Sequence, residues 1–449
     1  MTQPPVPPTP RPDADVDAPV ATAAEVALVE AATSSAPVDD LPPVSKRYIW
    51  LQVLGQFGVF MAFITPIAIS LALRIDALAP GHAEYLGYVT GAGALVPLLT
   101  GPFLGVLSDR MRTRWGRRRP MMVAGLVIGV IALFVMATAP NVLLLGVGWV
   151  LAQLGWGQVL GNLQISTADC LPEQQRGKVA GLTSFATQVA PVFGVILAQF
   201  FTTNSLLLFF VPGLVGIVFT LLFVFLIHEP DSRGMVLEPL TVPKLLSKYV
   251  YRPTDYPDFS WNWLGRFFFY LGITLNTTFT AFFFADRLGL EVAAVAGIIA
   301  MLGLGGVIAT TIGAIGGGFL SDKFKRRRAF VMFGSVLMAA GMVTMALSAS
   351  LPALITGSLL GSMGLGMFAA VDQALLLDVL PEKATDAGRF MGITGFATSI
   401  PQSVGPLIAS GILLVGVTGA ERNYSLLYLI AAGIILLGGL AILRIRSVR

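Results

Sequence analysis

Gly105–Pro120 reads GVLSDRMRTRWGRRRP, and Gly318–Ala329 echoes it in shorter form as GFLSDKFKRRRA. Each copy lies between two long apolar runs, and in each a Leu-Ser-Asp sequence leads into a dense basic cluster. A charged loop that recurs at matching places in two halves of an apolar chain is the pattern of a membrane transporter built from two similar bundles. The offsets between the halves stay consistent over several segments. Asp109 pairs with Asp322 at an offset of 213, and Gln164, Asp169, Pro172 and Glu173 pair with Gln373, Asp378, Pro381 and Glu382 at 209. The drop of four equals the extra length of the first loop: Arg117 follows Asp109 by eight residues, Arg326 follows Asp322 by four. Further on, Gly177, Gly181, Phe185-Ala186-Thr187 and Gly194 match Gly388, Gly392, Phe396-Ala397-Thr398 and Gly405 at 211.

Composition names the solvent. Of the 449 residues, 55% are hydrophobic and only 12% are charged, about half the charged share of an average soluble domain. The mean hydropathy is +0.78. Such a chain cannot hide its side chains in one aqueous core, so lipid must solvate much of it. A single cysteine, Cys170, and two histidines exclude a disulfide framework within the chain and argue against a His/Cys metal site. The net charge of +4 does not call for nucleic acid, because the cations sit in short loops between apolar runs, where topology accounts for them. Residues 1–45 are rich in proline, alanine and acids and hold no long apolar run. They read as a disordered cytoplasmic tail, with no cleavable signal peptide.

A membrane-spanning helix needs about 20 apolar residues. Candidate spans run over 48–74, 86–108, 120–139, 142–169, 179–202, 205–228, 259–285, 291–320, 329–349, 352–378, 389–414 and 424–444. The runs are long and continuous rather than ten-residue alternations, which predicts helices and not barrel strands. With both termini inside the cell membrane, the outer loops hold only Arg74, Arg287 and Arg422; Arg266 lies within a span, and the other 25 of the 29 Lys and Arg residues fall inside. The expected fold class is therefore an all-α membrane protein, with twelve transmembrane helices in two pseudo-symmetric six-helix bundles. The expected bundles are 46–228 and 259–449, joined by a polar cytoplasmic linker at 229–258.

Twelve spans in two halves with these loops resemble the major facilitator superfamily, over roughly residues 46–445. Gly105, Asp109 and Arg110 match the core of the family's signature loop, Gly-x-x-x-Asp-Arg followed by basic residues; here MRTR is inserted before Trp115 and Gly116. The longer form is similar to the loop of sucrose transporters and related glycoside–cation symporters, as is Gly161-Asn162 followed by Gln164 in the fourth span. The resemblance implies alternating access, with the halves rocking about a central site lined by the first, fourth, seventh and tenth spans. It also implies that the signature Asp latches the cytoplasmic side, which assigns Gly105, Asp109, Arg110, Asp322 and Lys323 to a cytoplasmic gate. Such a latch must be breakable, and a few charge-assisted hydrogen bonds suit it. The competing reading of the clusters, above all of arginines 117 to 119, is that they fix topology and meet anionic lipid headgroups.

A charge inside the bilayer costs roughly 2.5–3.5 kcal/mol on insertion scales and usually marks a pathway. Arg266 in the seventh span and Asp372 near the end of the tenth lie at similar depth, about 9 Å inside the cytoplasmic boundary at 1.5 Å per residue. An ion pair between them is expected, either as a permanent tie between two helices or as the coupling element, with Asp372 titrating as substrate binds. Asn262, Arg266 and Asn276 share a broad polar face with Thr277 and Thr280. Gln52 and Gln56 share a face of the first span, and Gln56 matches Arg266 in the repeat. The fourth span offers Asn162, Gln164 and Trp156, the tenth Gln373. Trp156 could stack on a sugar ring or simply pack. Without the two threonines, these ten residues are the candidate substrate-binding set: amides and charges bond hydroxyls, and rings cover apolar faces.

The reading that follows is a secondary active transporter of a small solute, most plausibly a sugar or glycoside, with protons as the candidate coupling ion. No cofactor is expected, and a monomer is. Multidrug or hydrophobic-compound efflux is the alternative. Against it, the fourth span lacks an Arg and the fifth has Ala190-Pro191 where proton–drug antiporters carry Gly-Pro; the eleventh does hold Gly405-Pro406. HExxH, GxSxG and Walker motifs are absent, which argues against a membrane enzyme and an ATP-driven pump.

Overall fold

The computed structural model describes residues 43–234, 251–382, 387–418 and 421–448. Nearly all of the expected tail, at 1–42, and the middle of the expected linker, at 235–250, lie outside the described residues. Among the described residues the regular elements are helical. In the first half they are α1 (Lys46–Leu78), α2 (Tyr85–Asp109), α3 (Arg119–Thr138), α4 (Val142–Cys170), α5 (Glu173–Ala198) and α6 (Ser205–Leu226). In the second half they are α7 (Pro257–Thr278, continued by Thr280–Leu288), α8 (Ala296–Phe324), α9 (Arg327–Leu347), α10 (Leu351–Val379), α11 (Ala387–Leu413) and α12 (Tyr424–Ile442). Nine of these are single helices long and apolar enough to cross a membrane, and α2 and α7 qualify as bent pairs. The remaining one, α11, is 27 residues long with Pro401 and Pro406 inside it.

Local chemistry sets the ends and bends. The side chains of Ser45, Asn141, Asn204 and Asn423 cap α1, α4, α6 and α12 by accepting a backbone N–H three residues on. Pro66 cannot donate, and α1 relaxes into a π-turn over Pro66–Ser70. The seventh span is not the single helix expected: it bends by 53° at Phe279. There Thr274, Thr277 and Thr278 donate their hydroxyls to carbonyls four residues back, a pairing that bends helices. The fifth helix also starts earlier than expected, at Glu173, because its first turns (EQQRGK) are polar; apolarity marks the membrane, not the helix.

The two halves repeat each other. The helix pairs α3 with α4 and α9 with α10 are the tightest. One face carries the basic loops and the described ends of the chain; the other is called the far face here. On the far face, the cations left outside by the charge count all have work. Arg74 donates to the Ala139 carbonyl (2.7 Å) and to Ser205 (3.1 Å); its counterpart Arg287 donates to the Ala346 carbonyl (2.8 Å) and to Ser425. Each thus ties the end of the first helix in its half to the end of the third and the start of the sixth.

Close helix crossings depend on glycine at specific places. A Cβ on Gly366 would run into the carbonyl of Thr310, and one on Gly313 into the carbonyl of Met363, so α8 and α10 touch backbone to backbone. Backbone cannot swing aside as a side-chain tip can. Gly366→Val is expected to lower stability by about 1–3 kcal/mol, read as a lower melting temperature in detergent. Gly316→Ala, whose Cβ meets open space, should leave the melting temperature unchanged.

Candidate functional site

The deepest charges form one closed set. Arg266 on α7 holds Asp372 on α10 through Nη2 at 2.6 Å and Nε at 2.7 Å. Asn262, one turn before Arg266, donates to the other carboxylate oxygen at 2.8 Å. Asp372 is 1% exposed and Asn262 0%. The guanidinium also donates to the side-chain amide oxygen Oε1 of Gln373 at 3.2 Å, and Gln373 itself is exposed. In the first half, Gln52 occupies the place of Asn262 and donates to the Leu163 carbonyl (2.7 Å) and Thr167 (2.5 Å). Leu163 stands where Asp372 stands, so one half joins its first and fourth helices through a carbonyl and the other through an ion pair.

The other expected residues separate into groups. Gln56 and Gln164 line a cavity of about 490 Å³ between α1, α4 and α5, with Thr167, Arg176, Thr183 and Ser184. Asn276 lines a different cavity, of about 260 Å³, with Thr277, Thr280, Ser358 and Ser362. Trp156 faces neither: it is fully buried, and a Cβ on Gly129 or Gly216 would press on its ring, so it fills the gap between α3, α4 and α6. Asn162 is also buried. It accepts from Ser108 of α2 and donates to the Gln158 carbonyl, so it serves helix packing inside the first half. Gln52 is fully buried in its own contacts.

The signature loop forms a knot within each half. Arg118, 4% exposed, binds Asp109 at 2.6 Å, Asp169 at 3.1 Å and Ser108 at 2.9 Å, and Arg117 also reaches Asp169 at 2.8 Å. In the second half Arg327 takes the place of Arg118, 209 positions on, and binds Asp322 at 3.3 Å and Asp378 at 2.5 Å. Reading arginines 117 to 119 as topology markers missed the central place of Arg118. Arg110 follows α2 as its cap residue, Lys323 is exposed, and a Cβ on Gly105 would meet open space. A further element lay unseen in the expected linker: Glu229 accepts the backbone N–H groups of Arg117, Arg118 and Arg119 at 3.0–3.1 Å, capping α3. Gly116, at φ +87°, leaves room for that carboxylate where a Cβ would collide with it.

Contacts between the halves run through α2 with α11 and α5 with α8. Their polar part sits at the far face. Glu84 and Arg422 form an ion pair at 2.8 Å, with side chains 8% and 5% exposed. Arg422 also donates to the Gly81 carbonyl, Ser410 to the Glu84 carbonyl and Ser403 to the Ala94 carbonyl. Gly87 and Gly91 lie against Pro406, Ser410 and Leu407. Toward the basic-loop face of the same four helices, a Cβ on Gly101, Gly105, Gly177, Gly181, Gly316, Gly318 or Gly395 would meet open space. Among the described residues the polar bonds between the halves thus gather toward the far face, while these glycines near the basic loops press on no neighbour.

Residues 49–316 and 306–449 match the family model for the Major Facilitator Superfamily. The chain belongs to that superfamily. A general alpha-glucoside permease of Schizosaccharomyces pombe is 32% identical over 112 residues, which is 24% of this chain and 19% of that permease. A class C tetracycline resistance protein of Escherichia coli is 25% identical over 355 residues, 74% of this chain and 80% of its own. Among solved structures, the nucleoside transporter NupG overlays with a TM-score of 0.70 at 12% identity, over 89% of this chain and 99% of its own. A D-xylose–proton symporter overlays at 0.69 and 15%, over 89% and 98%. These structural likenesses carry the fold alone; it is the family model that makes the chain a multi-span membrane transporter of the major facilitator kind.

The far-face ion pair predicts a dependence of stability on pH. Burial works to raise the Glu84 carboxyl, but hydrogen bonds from Arg422 and His82 outweigh it and hold the group below its ordinary range. A depressed carboxyl contributes stability that is present above its unfolded pKa and is lost as pH falls through the folded value. Melting temperatures taken from neutral pH down through about 4.3, the ordinary glutamate value, should fall more steeply for the native chain than for Glu84→Gln. Parallel curves would show that the pair holds nothing.

Proposed function

We propose that this chain is a secondary active transporter that carries a small polyhydroxylated solute, a sugar or glycoside, across the cell membrane by alternating access. The observation that carries the reading is the latch at the far face combined with open space toward the basic loops. An arrangement shut on one side and open on the other is one end of a rocking cycle. Among the described residues, 20 of 24 Lys and Arg lie on the basic-loop side; that face is the cytoplasmic one by the positive-inside rule, and this state opens inward. Gln56 and Gln164 offer amide donors and acceptors to hydroxyls from the first half; Gln373, exposed and held by Arg266, does so from the second. The alpha-glucoside permease relative and the D-xylose–proton symporter fold neighbour favour this solute class. Proton coupling is assigned to Asp372, whose release from Arg266 and Asn262 would accompany rearrangement of α7 against α10.

Efflux of hydrophobic compounds is the second reading, favoured by the tetracycline resistance relative that aligns with 74% of this chain. The two part on a ligand panel. A specific ligand at about 100-fold its dissociation constant adds roughly 2.7 kcal/mol to the folded state. Melting in detergent is expected to rise with a disaccharide or glycoside and to ignore lipophilic cations; the reverse pattern establishes efflux. Uptake of the stabilising sugar into proteoliposomes should then respond to an imposed proton gradient, and Asp372→Asn should remove that response. An Asp372→Asn chain with unchanged rate and pH dependence would reduce the ion pair to a tie between helices.

A further inference from the structure

The basic-loop end of the first half holds a cleft that no step of transport uses. It measures about 440 Å³ and is walled by the start of α1, the start of α3, the end of α4 and the end of α6. Arg47, Arg118 and Arg119 bring cations to it, Glu229 brings a carboxylate, Tyr48 and Ser166 line it with hydroxyls bonded to each other, and Met122, Phe223 and Leu226 give it an apolar wall. Arg118 is spent on Asp109 and Asp169. The guanidinium of Arg119 has no side-chain hydrogen bond among the described residues. The cleft's acid, Glu229, has its carboxylate taken by three backbone N–H groups.

The second half shows what an arginine at this position does when it is satisfied. Arg328 is the repeat partner of Arg119, 209 positions on. It donates to the carbonyls of Leu443 and Ile445, where the chain leaves α12. The corresponding exit from α6, at Ile227 and His228, lines the first-half cleft. There Arg119 makes no such bond among the described residues, which leaves its guanidinium open to an acceptor from outside the protein. The outer side of α6 beside the cleft is apolar and exposed: Leu222 is 38%, Phe225 69% and Leu226 43% exposed. Trp50, one turn past Arg47, is 56% exposed and suits the interface between headgroups and acyl chains. A charged pocket whose rim continues into an apolar, lipid-facing wall fits an amphipathic anion better than a small soluble one.

We propose that this cleft is a binding site for the phosphate group of an anionic phospholipid, with Arg119 and Arg47 as its cationic partners and the exposed face of α6 bedding an acyl chain. Basic pockets between helices on the cytoplasmic side are suited to such headgroups. Nothing in the proposal depends on the transported solute.

The chain carries its own probe. Cys170 is its single cysteine, exposed, and it lines the same cleft. Its alkylation by a neutral maleimide can be timed in nanodiscs of phosphatidylcholine alone and of phosphatidylcholine mixed with phosphatidylglycerol. The native chain is expected to label several-fold more slowly in the mixed bilayer. Arg119→Gln should abolish that protection, since one lost charge-assisted hydrogen bond is worth about tenfold in affinity. Arg112→Gln, in the exposed loop outside the cleft, should keep it and so controls for bulk surface charge. An unaltered melting temperature of Arg119→Gln separates loss of the site from loss of the fold. Equal protection by inorganic phosphate in plain phosphatidylcholine would make the site a general oxyanion site and overturn the lipid assignment. Equal labelling in both bilayers would overturn the site altogether, and protection gained only after removal of residues 1–42 would hand the cleft of the intact chain to that acidic segment.

Discussion

An ion inside an apolar bundle must find its counter-charge where it stands, because separating the pair strands a charge in a medium that cannot solvate it. Much of this protein follows from meeting that constraint within each half. Arg266 and Asp372 close on each other between α7 and α10 with Asn262 filling the remaining oxygen. At the edge of the bundle, where the carboxylates meet solvent, Arg118 gathers Asp109 and Asp169, and Arg327 gathers Asp322 and Asp378. Each half can therefore move as a unit without tearing its own charges apart. What holds the halves together at the far face is a much smaller set of bonds around Glu84, Arg422, Ser403 and Ser410. A strong interior with a lightly bonded seam is what rocking about a central site requires.

The fold was legible because the bilayer imposes it. Long apolar runs of span length can only be helices, and the offsets between Asp109 and Asp322 and between Asp169 and Asp378 exposed the repeat directly. Where helix and membrane part company, the pattern misled. The polar first turns of α5 are helical although hydropathy ends before them, and the bend at Phe279 comes from hydroxyl back-bonding, with no proline to mark it.

The site was legible in part. An intramembrane Arg and Asp at equal depth announced their pairing, since neither has another affordable partner. Side-chain direction was harder. Gln56 and Gln164 line a cavity, whereas Gln52, Asn162 and Trp156 serve packing, and residue type alone does not distinguish them. The far-face latch was hidden for a different reason. Glu84 and Arg422 lie 338 residues apart, and only the closure of two bundles brings them together. Glu229 was hidden too, because a carboxylate that caps a helix from a distant segment leaves no periodic trace; Gly116 was its one local sign, a residue free to adopt positive φ beside it.

The central claim is that this arrangement is one end of a two-ended cycle whose seam closes on one face as it opens on the other. Spin labels can be placed in pairs at the basic-loop ends of α2 and α11, and in a second preparation at their far ends, with Cys170 replaced in both. Distances are then measured by double electron–electron resonance in the native chain and in Glu84→Gln. The account predicts opposite changes: the variant gains a population that is wider at the far face and narrower at the basic-loop face. Distances that stay fixed at both faces, or that widen at both together, would contradict it.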